Sequence, residues 1–204
     1  EHLDSGRALL SKGFLREAKA TANINIEYLK NKVSENTPLL GIEPSAILGF
    51  RDEYLRLAKD KASAESIATH SYLIEEFLAS EIALGNINTE QFTSEEKVIK
   101  IHNHCHQKAL SNQKVTFDIL NLPINYKPTI IPSGCCGMAG SFGFEKDKYE
   151  VSMQIGELKL FPAVRNASEE VIIAANGTSC RHQIKDGTQK QALHPISILR
   201  KALV

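Results

Sequence analysis

The four cysteines of this 204-residue sequence all lie in its second half: Cys105, the adjacent pair Cys135–Cys136, and Cys180. Soft thiolates select iron–sulfur clusters, zinc or copper, provided that the chain brings them together. Two adjacent cysteines do not normally chelate one ion from a relaxed, extended backbone. They can ligate different irons of one cluster or share a bridging position. Gly134 and Gly137 flank the pair and permit the tight, left-handed turn that would aim both sulfurs inward. A disulfide framework is the weaker reading, because four cysteines are too sparse for a cross-linked secreted scaffold.

Histidines crowd the same places. His102, His104 and His106 surround Cys105, and His182 follows Cys180. Each alone is most simply a hydrogen-bonding residue at a strand end. Along an extended segment the three would share one face, opposite Cys105. At most one or two histidines should therefore assist a metal, as ligands or as donors to sulfur, and His106 and His182 are the candidates chosen. A Cys₃His zinc site is chemically open, although no Cys-x₂-Cys pair is present. Arg51, Asp52 and Glu53 read as a solvated helix face. The run Gly137-Met-Ala-Gly140-Ser-Phe-Gly143 lacks dinucleotide-loop spacing and reads as a cover over the site.

Apolar spacing predicts the elements that must position these residues. A helical pattern runs from a cap at Ser5 to about Val33, as one helix or as two with a break at Gly13. Leu39–Ile42 fits a buried parallel strand, Ala46 to Leu57 a helix, and 63–84 one or two more. Val98–His102 is a strand, Asn103–His106 its turn, and Gln107 to Leu120 a helix. Tyr126–Pro132 is a second strand, 147–167 a helix, and Val171–Ala175 a third strand. Pro195 suits the first turn of a closing helix. Strand, turn and helix in this order predict an α/β fold: a parallel sheet with flanking helices. Loops beyond the carboxyl ends of such strands are where sites gather, and every cysteine cluster falls there.

The pattern also repeats. Ser5-Gly6, a long helix, the strand Leu39–Ile42 and Pro44-Ser45-Ala46 run in the order of Cys136-Gly137, a long helix, Val171–Ala175 and Thr178-Ser179-Cys180. The first series has no cysteine. Lysine and arginine, 24 together, balance 24 acidic residues, so charge makes no case for nucleic acid or an anionic membrane. No apolar run reaches a bilayer-spanning length, and the first residues carry no export signal. The expected location is cytoplasmic, with a peripheral place at the inner face of the membrane as a variant. The sequence, which starts without Met, reads as a piece of a longer polypeptide.

Cys105, Cys135-Cys136-Gly137 and Cys180 together resemble the cysteine-rich CCG domain of iron–sulfur oxidoreductases. The longer strings His104-Cys-His-Gln-Lys-Ala-Leu110, Gly134-Cys-Cys-Gly-Met-Ala-Gly-Ser-Phe-Gly143 and Gly177-Thr-Ser-Cys-Arg-His-Gln183 look more narrowly like the carboxyl-terminal module of large FAD-linked oxidases. Those are of the D-lactate, D-2-hydroxyglutarate and glycolate dehydrogenase type. The resemblance divides the chain into residues 1–96, the remnant of a first CCG repeat with a helical connector, and 97–204, a second repeat holding the metal. It implies a 4Fe-4S cluster on Cys105, Cys135, Cys136 and Cys180, sensitive to air. It further implies FAD on a part outside this chain, a flavin-containing dehydrogenase domain as partner, and an acceptor such as a quinone.

Two departures narrow this. The family motif ends in Cys-x-x-Cys, and Gly177 stands at the first of those positions. Four thiolates suit a cubane cluster, whereas five serve the noncubane kind. In the first repeat Asp4-Ser5-Gly6-Arg7 and Glu43-Pro44-Ser45-Ala46 stand where the family has cysteines, so no cluster is expected there. The rival readings are a structural zinc at the same cysteines and thiol–disulfide chemistry at Cys135–Cys136.

Overall fold

Strand, turn and helix alternate in the computed structural model, which describes residues 3–204. Glu1 and His2, the start of the expected first repeat, lie outside the described residues. The chain forms two compact units, one ending at Ile74 and the other spanning Glu75–Val204.

The first unit holds α1 (Arg7–Ser11), α2 (Leu15–Leu29), β1 (Leu39–Gly41), α3 (Pro44–Ile47), α4 (Glu53–Leu57), α5 (Lys61–Thr69) and β2 (Ser71–Leu73). The expected helical run breaks at Gly13, which takes the left-handed φ of 79°, so the two-helix variant is the one that forms. Ala18, Ala22 and Ile26 recur at helical spacing on α2 and are buried with Ile47, Leu48, Tyr54, Ile67 and Leu73. Strand β1 is parallel as expected, pairing with β2. It is not the buried strand expected, since Leu40 is 36% exposed and Ile42 64%. A two-stranded sheet covers its strands on one side only. The expected helix from Ala46 to Leu57 is divided by a 3₁₀ turn at Leu48–Arg51. The strand β2 was not foreseen; three residues carry no legible period.

The second unit contains α6 (Ile74–Ala83, beginning at the boundary), β3 (Lys97–His102), α7 (Cys105–Leu110), α8 (Lys114–Leu120), β4 (Tyr126–Ile130), α9 (Tyr149–Glu157), α10 (Leu160–Arg165), β5 (Ile172–Ala175), α11 (Thr178–Thr188), β6 (Ala192–Leu193) and α12 (Pro195–Lys201). Its four strands pair in parallel in the order β4-β3-β5-β6. Pro128 lacks an N–H and is tolerated because β4 is an edge. The pleat of β5 sorts the cores. Ile173 and Ala175 join Phe161, Val164 and Ile184 in one cluster, while Ala174 joins Ile99, Ile101, Ile119 and Ile198 in the other. Side chains of α6 pack on the latter cluster.

Two long helices expected from the pattern each form as a pair. Residues 107–120 break at Ser111–Gln113, and 147–167 break near Leu158–Lys159. The turn after β3 is also shorter than expected. His104 closes it as the cap of α7, its Nδ1 accepting the His106 N–H at 3.1 Å. His194 caps α12 in the same way, ahead of Pro195 at the first helical position.

Candidate metal centre

Three neighbouring strands end at one place. Strand β3 delivers His102 and, three residues on, Cys105 at the start of α7. Strand β4 runs into the loop with Cys135 and Cys136, and β5 leads to Cys180 in the first turn of α11. All four thiols are free. They stand in a row: Cys105 contacts Cys135, Cys135 contacts Cys136, and Cys136 contacts Cys180. At the far end Cys180 meets His102. One ring nitrogen of His102 and the sulfurs of Cys136 and Cys180 lie within 4.8 Å of one another. Cys136, Cys180 and His102 are buried; Cys105 and Cys135 are half-buried.

Packed sulfurs divide their protons. A hydrogen bond from Cys105, then one from Cys136, pulls Cys135 down to about 2, and the Gly137 and Ala139 N–H groups add to this. Contact with Cys136, then with His102, holds Cys180 well below the usual thiol range. Cys105 and Cys136 are pushed up, first by their bonds to Cys135 and then by burial (for Cys136, after a further bond to Cys180). Such a row favours two thiolates alternating with two thiols, and a cation is what would hold all four as thiolates. The first turn of α11 adds positive dipole at Cys180.

The backbone around the pair is shaped to point N–H groups at sulfur. The Gly137 N–H lies 3.3 Å from Cys135 Sγ. Gly137 has φ 101°, and a Cβ there would sit 2.0 Å from the Ser152 carbonyl oxygen. Ala139 holds the left-handed φ of 43° although it is not glycine, a strain on the order of 1–2 kcal/mol. That conformation turns its N–H toward Cys135. Met138 directs its own at Cys136.

Neighbouring helices hold this loop in place. Lys108 Nζ on α7 donates to the Ser133 and Gly134 carbonyls at 2.6 and 2.9 Å. Ser152 Oγ on α9 donates to the Gly137 carbonyl at 2.8 Å, and Gln183 on α11 donates to Ser152 Oγ at 2.9 Å. On the β5 side, Asn176 accepts the His104 N–H at 3.2 Å and donates to Gln107 at 2.8 Å.

The two histidines expected beside the metal take different places. His182 is exposed on α11. His106 is half-buried and stacks on His104, ring centroids 5.4 Å apart. His102, considered in the sequence but not chosen, lies within the sulfur cluster. Its Nδ1 lies 2.8 Å from Ser133 Oγ. Its Nε2 is buried with no hydrogen-bond partner among the described residues. A buried nitrogen left unpaired costs about 1–3 kcal/mol, so this one is an open position for a ligand. The chemistry of the donor set fits a soft metal centre: thiolate sulfur, one imidazole, no carboxylate.

The first unit repeats the local geometry without the thiols. Asp4 Oδ1 accepts the Gly6 N–H at 2.6 Å, and Gly6 has φ 70°, as Cys135 does with Gly137. Ala46 is the third residue of the helix after β1, the position Cys180 holds in the helix after β5. Around this turn stand hydrogen bonds instead: Asn25 to Tyr54 at 2.6 Å, Tyr54 to the Ser5 carbonyl at 2.8 Å, and Arg7 to Glu53 at 2.6 Å.

The chain is similar over nearly its whole length to known oxidoreductase proteins. It is 26% identical over 200 residues, 97% of this chain, to one subunit of the anaerobic glycerol-3-phosphate dehydrogenase of Escherichia coli. It is 26% identical over 197 residues to the D-2-hydroxyglutarate dehydrogenase of the same organism and 28% to that of Pantoea ananatis, 96% of this chain in both cases. It spans 49% of the first relative and 18% of the other two. The resemblance read from the cysteine motifs to the carboxyl-terminal module of a larger oxidase is thus matched along the chain. No family model matches, and no solved structure does.

Proposed function

We propose, from that kinship and the sulfur cluster together, that this chain is the electron-transfer iron–sulfur module of a flavin-linked 2-hydroxy-acid dehydrogenase. In the whole protein a 2-hydroxy acid would lose two electrons and two protons to FAD, becoming a 2-oxo acid. The electrons would then leave singly for an acceptor such as a quinone. The flavin, the substrate site and the partner dehydrogenase domain belong to parts outside this chain.

The convergence of Cys105, Cys135, Cys136 and Cys180 from three strand ends is the observation that carries this reading. These residues would hold a 4Fe-4S cluster, and bound there it would supply one-electron chemistry. The N–H groups of Gly137, Met138 and Ala139 face the sulfurs and so stabilise negative charge on them, which favours the reduced state. Burial of Cys136 and Cys180 opposes it by desolvation. No helix among the described residues is long and apolar enough to cross a membrane.

One observation favours a second reading, a single zinc ion. Zn–S bonds of about 2.3 Å set tetrahedral ligands roughly 3.8 Å apart, comparable with the 4.8 Å bound on the His102, Cys136 and Cys180 donors. Anaerobic expression separates the two. The expected outcome is iron and acid-labile sulfide in equal amounts, with an EPR signal on dithionite reduction. Stoichiometric zinc that resists replacement would establish the second reading. A colourless, metal-free protein with a reversible Cys135–Cys136 couple would sink both and leave thiol–disulfide chemistry.

A further inference from the structure

We infer that His102 is a direct nitrogen ligand of the metal group, through Nε2. The inference rests on the metal-binding reading above and deepens it by naming a non-sulfur donor.

Three features of the ring point this way. His102 ends β3, fully buried, and one of its ring nitrogens lies within 4.8 Å of both the Cys136 and Cys180 sulfurs. Nε2 has no hydrogen-bond partner among the described residues. Nδ1 is engaged on the other side of the ring by Ser133 Oγ at 2.8 Å, and that oxygen is 3.5 Å from the Ile131 carbonyl. With a metal bound and the Ser133 proton directed to that carbonyl, Nδ1–H would donate to Ser133 and leave the Nε2 lone pair for the metal, in place of the contact that His102 makes with Cys180 without one. A ligating imidazole is held in this way, one nitrogen on the metal and the other donating to an outer oxygen. His104 is differently committed, since its Nδ1 accepts a backbone N–H and caps α7.

The site also has little room for an additional thiolate at position 177. A Cβ on Gly177 would lie 2.3 Å from the His104 ring and 3.2 Å from Cys180 Sγ. Beside the four thiolates, a neutral imidazole as fifth donor brings no negative charge where a fifth thiolate would, and so keeps the reduction potential above that of a five-thiolate set.

The test uses the anaerobically reconstituted chain, labelled with ¹⁵N-histidine, and pulsed EPR of the dithionite-reduced state. Wild type should show the strong coupling of one directly bound histidine nitrogen, absent in His102→Ala and in His102→Cys. The His102→Cys variant, which replaces nitrogen by sulfur, should keep its iron and titrate at a lower potential than wild type. It covers the case in which His102→Ala fails to fold. Iron uptake without a bound-nitrogen coupling, or coupling that survives in both variants, overturns the assignment to His102 alone. Failure of wild type to take up iron overturns the cluster reading, and this assignment with it.

Discussion

Position 177 shows how single residues set the ligand count. By resemblance a cysteine would stand there, yet the His104 ring occupies the space its Cβ would need. Forcing a side chain into a packed site costs about 1–3 kcal/mol. Gly177→Cys is therefore expected to lower the urea midpoint of the reduced, metal-free protein. His104→Ala should relieve part of that cost while losing the cap of α7, itself worth about 1 kcal/mol. A double-mutant cycle should show the pair less destabilising than the sum; strict additivity would refute the steric account. The four cysteines were legible at this scale because their type narrows the chemistry. His102 was not, because alternation placed His102, His104 and His106 on one face. That rule ends where the backbone turns into α7 at Cys105, a turn that spacing does not reveal.

Among the elements, the strand ends were legible and the helix breaks were not. Short runs rich in β-branched residues, such as Val98–Ile101 and Ile172–Ala175, read as strands, and they fix where the loops converge. The two- and three-residue strands β6 and β2 have no period to read, and Ser111–Gln113 interrupts a helix with no glycine or proline to announce it. What holds the elements around the metal loop is a buried relay from Gln183 on α11 through Ser152 on α9 to the Gly137 carbonyl. Ser152→Ala removes the middle member and leaves the Gly137 carbonyl and the Gln183 amide short of partners. That should cost about 1–3 kcal/mol, read from chemical denaturation. Because the relay fixes the Gly137 N–H against Cys135, metal should also leave Ser152→Ala faster in a chelator chase. Unchanged release together with unchanged stability would show that the relay plays no part in holding the loop.

The whole molecule sets two versions of one turn in two units. In the unit up to Ile74 a carboxylate accepts the glycine N–H, and hydrogen bonds among Asp4, Asn25, Tyr54 and Ser5 fill the place. In Glu75–Val204 a thiolate accepts it, and three further cysteines stand in a row with that sulfur. We read the first as the remnant of a repeat whose structural role outlasted its ligands, as the order of motifs in the sequence suggested. The sequence had no means of showing that a closed hydrogen-bond set fills this place, since Asn25 and Tyr54 come from distant elements. Metal removal should then act on one unit only. A ligand stabilises the form that binds it, by about 4 kcal/mol when present at a thousandfold over Kd, and without it the row is left to the hydrogen bonds between thiols and thiolates. Chelation under reducing, anaerobic conditions should therefore speed amide exchange in α7, α11 and the Cys135–Cys136 loop. Exchange in α2 and α5 should stay as it was. Equal acceleration in both units would make the metal a support of the entire chain, and no change in either would leave the thiols without a structural ligand.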